Sequence, residues 1–256
     1  ILDNFCWGNT DRPETLGSLV RAAIACHDLA VAWKTPFISG KDSLNNEFTW
    51  MDPQGTKKSI AIPCSLLISA MGQIDDASQA VTMDLKKAGN ALYLVGVTRN
   101  ELGGSHAAML LGKDGGHVPK VDAALAMRCY ESVYRAIQNK LVTSCHDLSE
   151  GGLAVALSEM AFAGELGLDV DLSKYRASNF VDASVALFSE SNSRLLIEVP
   201  ESQCKAFESQ MSGLPVERIA TVTQSPKVRV ACDSQVLIDI DWNELRDVWR
   251  SPLDFA

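Results

Sequence analysis

Residues 36–47 constrain this chain more than any other stretch, because an apolar pair is followed there by a glycine and several short polar side chains. Phe37 and Ile38 are typical of the end of a buried strand. Gly40 permits a backbone conformation or a close approach that a Cβ atom would prevent. The pattern fits either a loop that binds phosphate or metal or a polar turn between two strands.

Gly40-Lys41 looks like the end of a P-loop, but the rest of that motif is missing. Thr35 stands where the first glycine is required, Asp42 replaces the serine or threonine after the lysine, and no helix-forming run begins there. If these residues meet a nucleotide, they do so through another architecture.

Composition narrows the classes of partner. At 256 residues and 46% hydrophobic, the chain can form one large domain or two of ordinary size. Its net charge of −9 argues against nucleic-acid binding, which depends on clustered Lys and Arg. An acidic chain can still bind a phosphorylated small molecule through helix N-terminal amides, a lysine and a carboxylate-held divalent metal.

Cellular location is inferred from cysteine usage and from apolar runs. The seven cysteines are scattered without a C-x-x-C pair, which predicts a reducing cytoplasm rather than a disulfide framework or a zinc site. No uninterrupted apolar run approaches a membrane span, and no signal peptide is evident. Because the sequence opens on Ile1-Leu2-Asp3, we expect an excised fragment of a longer protein.

Periodicity predicts a mixed fold in two domains. Apolar positions from Leu16 to Val31 indicate a helix, with His27 as a core histidine on its buried face, and residues 60–70 indicate one long strand. Residues 91–97 are typical of a strand buried on both faces, and residues 121–140 of a long helix. We predict a domain over 1–76, a second over 79–234, and a terminal strand and helix over 235–256.

A second polar stretch, residues 146–152, lies where a short strand ends and an amphipathic helix begins. Asp147 and Ser149 stand beside two glycines there, which suits a phosphate and its metal; capping of the helix is the alternative. Gly103 and Gly104 precede another short helix and serve either an anion or tight packing. Residues 188–194, which contain Glu190 and Arg194, fit a solvated turn better than a wall of the site.

Four stretches, residues 3–9, 39–43, 102–105 and 146–153, together resemble phosphoribosylformylglycinamidine synthase, the amidotransferase of purine biosynthesis. They occur in the family's order over nearly the whole chain. The wider superfamily also holds aminoimidazole ribonucleotide synthase, thiamine-phosphate kinase and selenophosphate synthase. The second and fourth stretches favour the amidotransferase.

The resemblance implies a fold and an activity. The fold class is α+β / α/β, with a partial N-terminal barrel-forming α+β domain followed by a C-terminal α/β domain of the aminoimidazole ribonucleotide synthase type. The activity is that of an ATP-dependent carbon–nitrogen ligase, which phosphorylates the amide oxygen of formylglycinamide ribonucleotide so that ammonia from glutamine displaces phosphate. The implied cofactors are ATP/ADP and Mg²⁺.

The resemblance also implies partners. These are the remaining half of the synthase, a glutaminase domain or subunit, and the ribonucleotide substrate, with a homodimer of the fragment as a further possibility. Neither nucleic acid nor membrane is expected. The isolated fragment is expected to be inactive.

Individual roles follow from the matching positions. Asp3, Gly40, Lys41 and Ser149 correspond to nucleotide contacts, Ser43 to a substrate contact and Asp147 to a magnesium ligand. Lys41 departs from the short, multi-subunit form of the enzyme, which has a metal-binding asparagine there, and agrees with the long, fused form. No catalytic residue is assigned.

Three hypotheses therefore remain open. The chain is part of a catalytic synthase, or an auxiliary half that binds nucleotide without turnover, or a homodimeric relative of the selenophosphate synthase or thiamine-phosphate kinase type. Lys41, Asp42 and Ser43 argue against the third.

Overall fold

The computed structural model describes residues 1–253 of the chain, so the last three residues of the predicted terminal segment 235–256 lie outside the described part. The chain divides into two compact units, Ile1–Asp75 and a second unit that starts at Asp76.

The first unit is built on a short sheet with one long helix. Its elements are β1 Leu2–Cys6, α1 Pro13–Trp33, β2 Ser39–Ser43, β3 Glu47–Met51, β4 Lys57–Ala61 and β5 Ser65–Ser69. β1 is the centre of a three-stranded sheet, parallel to β2 and antiparallel to β5. A parallel pair needs a crossover, which α1 supplies. β3 and β4 form a separate hairpin.

Helix α1 confirms the predicted apolar period but not the predicted burial. It begins at Pro13, a favoured first helical residue, and ends where Lys34 adopts a left-handed conformation. Leu16 and Ile24 on its apolar stripe are exposed within the structure. The prediction that His27 is a core histidine is wrong, because its side chain is 75% exposed and pairs with the neighbouring Asp28 carboxylate.

By length and composition α1 also passes the test for a membrane-crossing helix, which core helices of water-soluble proteins pass as well. Polar residues interrupt the apolar positions of α1, so no uninterrupted apolar run marks this helix in the sequence.

Two further local predictions in the first unit are corrected. The strand expected over residues 60–70 is two strands, β4 and β5, and Pro63, which has no backbone N–H to donate, lies between them. Residues 39–43, expected to be a loop, form strand β2, whose Lys41 pairs with Asn4 of β1.

The second unit is a larger mixed structure. Its elements are β6 Ala91–Val95, α2 His106–Leu110, α3 Ala123–Gln138, β7 Ser144–Asp147, α4 Gly152–Gly164, β8 Gly167–Asp171, α5 Ser173–Asn179, α6 Ala183–Phe188, β9 Leu195–Val199, α7 Cys204–Gln210, β10 Val216–Thr223, β11 Lys227–Cys232, β12 Gln235–Asp241 and α8 Trp242–Arg250. The strands form one sheet in the order β12-β11-β8-β10-β6-β9-β7. β8 and β11 are parallel, and the other described neighbours are antiparallel. The mixed α+β fold is confirmed.

Strand β6 explains why the second unit has a complete core. All five of its residues are buried, as predicted for a strand covered on both faces. Leu92 and Leu94 pack into one apolar cluster with α4, while Tyr93 and Val95 pack into another with α3 and α7. The sheet therefore lies between two helical layers.

The same sheet brings the second polar stretch beside residues 188–194. β7 ends at Asp147 and pairs antiparallel with β9, so that Asp147 is opposite Leu195. The segment just before β9 must therefore lie next to the segment just after β7. Gly151 and Gly152, both with positive φ, make the turn from β7 into α4.

Candidate functional site

In the first unit, Asp3 and Gly40 lie side by side on β1 and β2. A Cβ atom at position 40 would be 1.6 Å from the Asp3 Oδ1 atom, so the carboxylate fills the space that any other residue would need. Asp3 also lines a cavity of about 620 Å³ between β1 and α1, together with Phe5 and Ala30. A larger residue at position 40 would therefore displace the Asp3 side chain.

Lys41 and Ser43 lie on one face of β2, because alternate residues of a strand point the same way. The Lys41 ammonium donates a hydrogen bond to the Ser43 hydroxyl. The two predicted ligand residues therefore form a cation–hydroxyl pair on an edge strand.

Glu47 fixes the loop after β1. Its carboxylate accepts hydrogen bonds from the Asn9 amide at 3.1 Å and the Ser59 hydroxyl at 3.0 Å, and it pairs with the Arg12 guanidinium at 2.9 Å. The Asn9 amide is the main reason that the pKa of Glu47 lies below its ordinary value.

In the second unit, two of the predicted stretches line one cavity of about 420 Å³. Asp147 and Ser149 come from the β7–α4 turn, and Glu190 and Arg194 from the segment before β9. The Asp147 side chain is 69% exposed and points to solvent at the cavity rim. The prediction that residues 188–194 are a solvated turn is wrong, because Ser189, Ser191 and Arg194 are each at most 1% exposed.

Glu190 holds three separate segments together. Its Oε1 atom accepts the Gly151 amide at 2.8 Å and the His106 amide at 2.9 Å. It therefore joins the turn before α4 to the glycine turn before α2. Sequence analysis noted each segment alone but could not bring the three together.

Arg194 fixes the segment before β9 through hydrogen bonds of its guanidinium. Its guanidinium donates to the Ser191 carbonyl at 2.8 Å and to the Thr98 hydroxyl at 2.9 Å. Burial lowers the pKa of Arg194, against the raising effect of the nearby Tyr175 hydroxyl and two acidic groups. Thr98 also contacts the Tyr175 hydroxyl at 2.6 Å, so the cation is held in a polar network inside the domain.

The glycines at these turns serve close packing. A Cβ atom on Gly152 would be 2.4 Å from the Ser189 carbonyl oxygen, and one on Gly103 would be 2.8 Å from the His117 backbone. Both glycines therefore allow backbone segments to approach. For Gly103 this supports the packing alternative.

His146 precedes the exposed aspartate and is itself held by a carboxylate. Its Nε2 atom lies 2.8 Å from Glu159 on α4, and its Nδ1 atom lies 3.4 Å from the Asp147 carboxylate. The imidazole side chain is 13% exposed, whereas the neighbouring Asp147 side chain is 69% exposed.

The donor set fits a magnesium ion that arrives with phosphate. Among residues 1–253, no group of three or more His, Cys, Asp or Glu side chains is arranged to hold a metal. Mg²⁺ often binds through one or two carboxylates, several waters and substrate phosphates, so such a cage is not required. Asp147, Glu150 and Glu190 supply carboxylates around the same cavity.

Residues 87–233 match the family model of the AIR synthase related protein, C-terminal domain. The chain belongs to this family. The matched region contains β6 to β11, and with them both stretches that line the 420 Å³ cavity.

Curated proteins are similar to this chain over nearly its whole length. Phosphoribosylformylglycinamidine synthase subunit PurL of Deinococcus radiodurans is 34% identical over 261 residues, covering 99% of this chain and 34% of that protein. This chain thus spans about a third of the length of that relative.

Solved structures show the same fold at low sequence identity. Thermotoga maritima PurL complexed with FGAR has a TM-score of 0.68 and 16% identity, covering 95% of this chain and 38% of that one. Escherichia coli HypE, a hydrogenase maturation protein, has a TM-score of 0.57 and 15% identity, covering 94% and 72%. The predicted superfamily fold is confirmed.

Sequence analysis missed Tyr130 and Pro119, which also line the 420 Å³ cavity of this family member. Tyr130 lies on α3, just off the stripe of buried residues that the apolar period identifies. An aromatic residue beside such a stripe, rather than on it, was the available signal.

Proposed function

We propose that this chain is part of an ATP-dependent phosphoribosylformylglycinamidine synthase and contributes a nucleotide-binding site to it. The observation that carries the proposal is the meeting of residues 147–150 and 190–195 on one cavity inside the family-matched region. The relatedness to PurL over 99% of the chain supports the choice of reaction.

In this proposal Asp147 holds the magnesium ion of the bound nucleotide, and the Ser149 hydroxyl donates to a phosphate oxygen. The metal would offset phosphate charge as the phosphoryl group is transferred to the amide oxygen of formylglycinamide ribonucleotide. Ammonia then displaces phosphate. The chain's own contribution is to orient the nucleotide, since Glu190 and Arg194 line the same cavity as Asp147 and are held by hydrogen bonds to neighbouring segments.

In the first unit, Asp3, Gly40 and Lys41 are proposed to contact nucleotide, and Ser43 to contact the ribonucleotide. The close approach of Asp3 to Gly40 and the Lys41–Ser43 pair support a built arrangement of these side chains. No catalytic residue is assigned to this chain, and completion of the active site is assigned to the remaining half of the synthase and a glutaminase.

Calorimetry with ADP, with and without Mg²⁺, tests the nucleotide site. We expect Asp147→Asn to weaken magnesium-dependent binding about tenfold or more, the equivalent of one charge-assisted contact. The matched control is Asp169→Asn, because Asp169 is also a strand aspartate with a 61% exposed side chain but lies outside this cavity. Equal affinity in both variants would move the metal site elsewhere.

A turnover assay tests the assignment to a larger synthase. The chain alone should form no amidine product from ATP, ammonia and the ribonucleotide, and product should appear when the remaining subunits are added. Substantial turnover by the chain alone would exclude the fragment hypothesis.

The auxiliary role remains a second candidate, because Lys41 places an ammonium group beside Ser43 where the short form of the enzyme has a metal-binding asparagine. In that case Asp147→Asn would lower the stability of the reconstituted enzyme without changing its turnover number. A fall in turnover at unchanged stability would favour the catalytic role.

A further inference from the structure

The cavity beside Asp147 has two chemically different kinds of lining residue. Asp147, Glu150 and Glu190 contribute carboxylates, which repel free phosphate and attract a metal. Pro119 and Tyr130 also line the cavity, and Leu148 and Leu195 add further apolar lining. Binding sites for small molecules are usually built this way, with apolar walls and a few polar groups that fix orientation.

Tyr130 is not needed for the core of the second unit. The buried residues of α3 are Ala126, Cys129, Val133 and Ala136, and they pack toward the sheet. Tyr130 lies off this stripe and keeps 36% of its surface exposed. Tyr134 follows one turn later on the same helix, is 56% exposed, and is not part of the cavity lining.

We propose that Tyr130 forms the aromatic wall on which the base of the bound nucleotide packs. This inference rests on the proposed nucleotide site and assigns the two ends of the ligand: phosphate and metal at Asp147, and base at Tyr130. An aromatic ring offers a large apolar face to a base, and base–aromatic stacking tolerates different bases because each has a π-face.

The cavity supports this division by its size and charge. Its volume of about 420 Å³ lies within the range of small-molecule sites. In this proposal a polyphosphate without a base would contact only the metal and phosphate ligands, whereas a nucleotide would also cover the tyrosine. Tyr130 should therefore separate nucleotides from simple phosphates of equal charge and length.

The test compares Mg–ADP with Mg–pyrophosphate by calorimetry on the 256-residue chain and on three variants. Tyr130→Leu keeps an apolar side chain but removes the ring, Tyr130→Phe keeps the ring, and Tyr134→Leu is the matched control one turn away. We expect Tyr130→Leu to weaken Mg–ADP binding about 5- to 100-fold and to leave Mg–pyrophosphate unchanged. Tyr130→Phe, which keeps the ring, should lose less affinity for Mg–ADP than Tyr130→Leu, and Tyr134→Leu should bind like the parent chain.

Several results would overturn the inference. Unchanged Mg–ADP affinity in Tyr130→Leu would exclude a role for the ring, and equal losses for both ligands would indicate a structural role only. Should Tyr130→Leu fail to fold, the parent chain still decides, because equal affinity for Mg–ADP and Mg–pyrophosphate would show that the base contributes nothing. Failure of the parent chain to bind either ligand would overturn the proposed nucleotide site itself, and the inference with it.

Discussion

The two units of this chain use similar apolar patterns with opposite results. In the second unit, every residue of β6 is buried between two helical layers. In Ile1–Asp75, the large apolar side chains that are buried are Phe5 and Trp7, while those along α1 and β5 are mostly exposed. An apolar period thus predicts that a face will be covered, but the period does not say whether the same unit supplies the cover.

The largest expected difference between the two units is the loss of unfolding free energy caused by a Leu→Ala substitution in each. Leu153 on α4 is 0% exposed, and its replacement by alanine should cost about 2–5 kcal/mol of unfolding free energy, since it leaves a cavity in the core. Leu16 on α1 is 46% exposed, and Leu16→Ala should cost less than about 0.5 kcal/mol. Urea unfolding of both variants at neutral pH measures the difference.

Equal costs would contradict the contrast in burial. A large effect of Leu16→Ala would mean that this stripe of α1 is covered in solution. Sedimentation of the parent chain at several concentrations then identifies self-association as the cause, because a covered dimer interface loses stability on dilution.

Glycine-to-alanine changes give the next largest difference. Gly152→Ala places a Cβ atom 2.4 Å from the Ser189 carbonyl oxygen, at a residue with φ of 64°. Rigid backbone must shift, so we expect a cost of about 1–3 kcal/mol. In Gly40→Ala the new Cβ atom meets only the Asp3 side chain, which can rotate away. The free energy of unfolding, measured by thermal unfolding, should therefore fall by less than about 1 kcal/mol.

The informative outcome at Gly40 is local. Gly40→Ala could destabilise the first unit as strongly as Gly152→Ala destabilises the second. That result would mean that further contacts prevent the Asp3 side chain from rotating away. Asp3→Ala combined with Gly40→Ala decides this, since removing the carboxylate should then restore stability.

Most elements of the second unit match the sequence-based predictions, because the apolar faces that their patterns indicate are buried within that unit. The helix expected over 121–140 is Ala123–Gln138, and the strand expected over 91–97 is Ala91–Val95. His27 was mispredicted for the opposite reason, since its apolar helix face is uncovered within the structure. An apolar pattern predicts burial reliably where the same unit also supplies the residues that pack against the apolar face.

The sequence indicated only some of the residues of the candidate site. Asp147 and Ser149 stood out because a strand end, polar residues and glycines occur together. Glu190 and Arg194 did not, because their partners are distant in sequence: the Glu190 carboxylate binds amides at positions 106 and 151, and Arg194 binds Thr98. Such contacts depend on the pairing of β7 with β9, which no local pattern reveals.

Acid titration gives the smallest difference. The Asp182 carboxylate caps α6 by accepting the Val185 amide at 2.8 Å, and this bond is the main cause of its lowered pKa. Asp182→Ala should cost about 1 kcal/mol at pH 7, whereas Asp182→Asn keeps the cap and should cost only a few tenths. Because the folded pKa is depressed, the contribution of the charge is complete above the unfolded value near 3.9 and is lost as pH falls through the folded value.

The gap between parent and Asp182→Asn, measured by urea unfolding from pH 7 downward, should therefore stay constant to about pH 4 and close below it. A gap that persists in acid would mean that the carboxylate's charge plays no part.

Glu47 supplies the counterpart in the first unit, since the Asn9 amide lowers its pKa in the same direction. Protection of that amide from hydrogen exchange, corrected for the intrinsic effect of pH, should fall as Glu47 is protonated. Glu47→Gln should make it independent of pH over this range, and because the first unit has so little core, the change should stay confined to the loop that Glu47 holds.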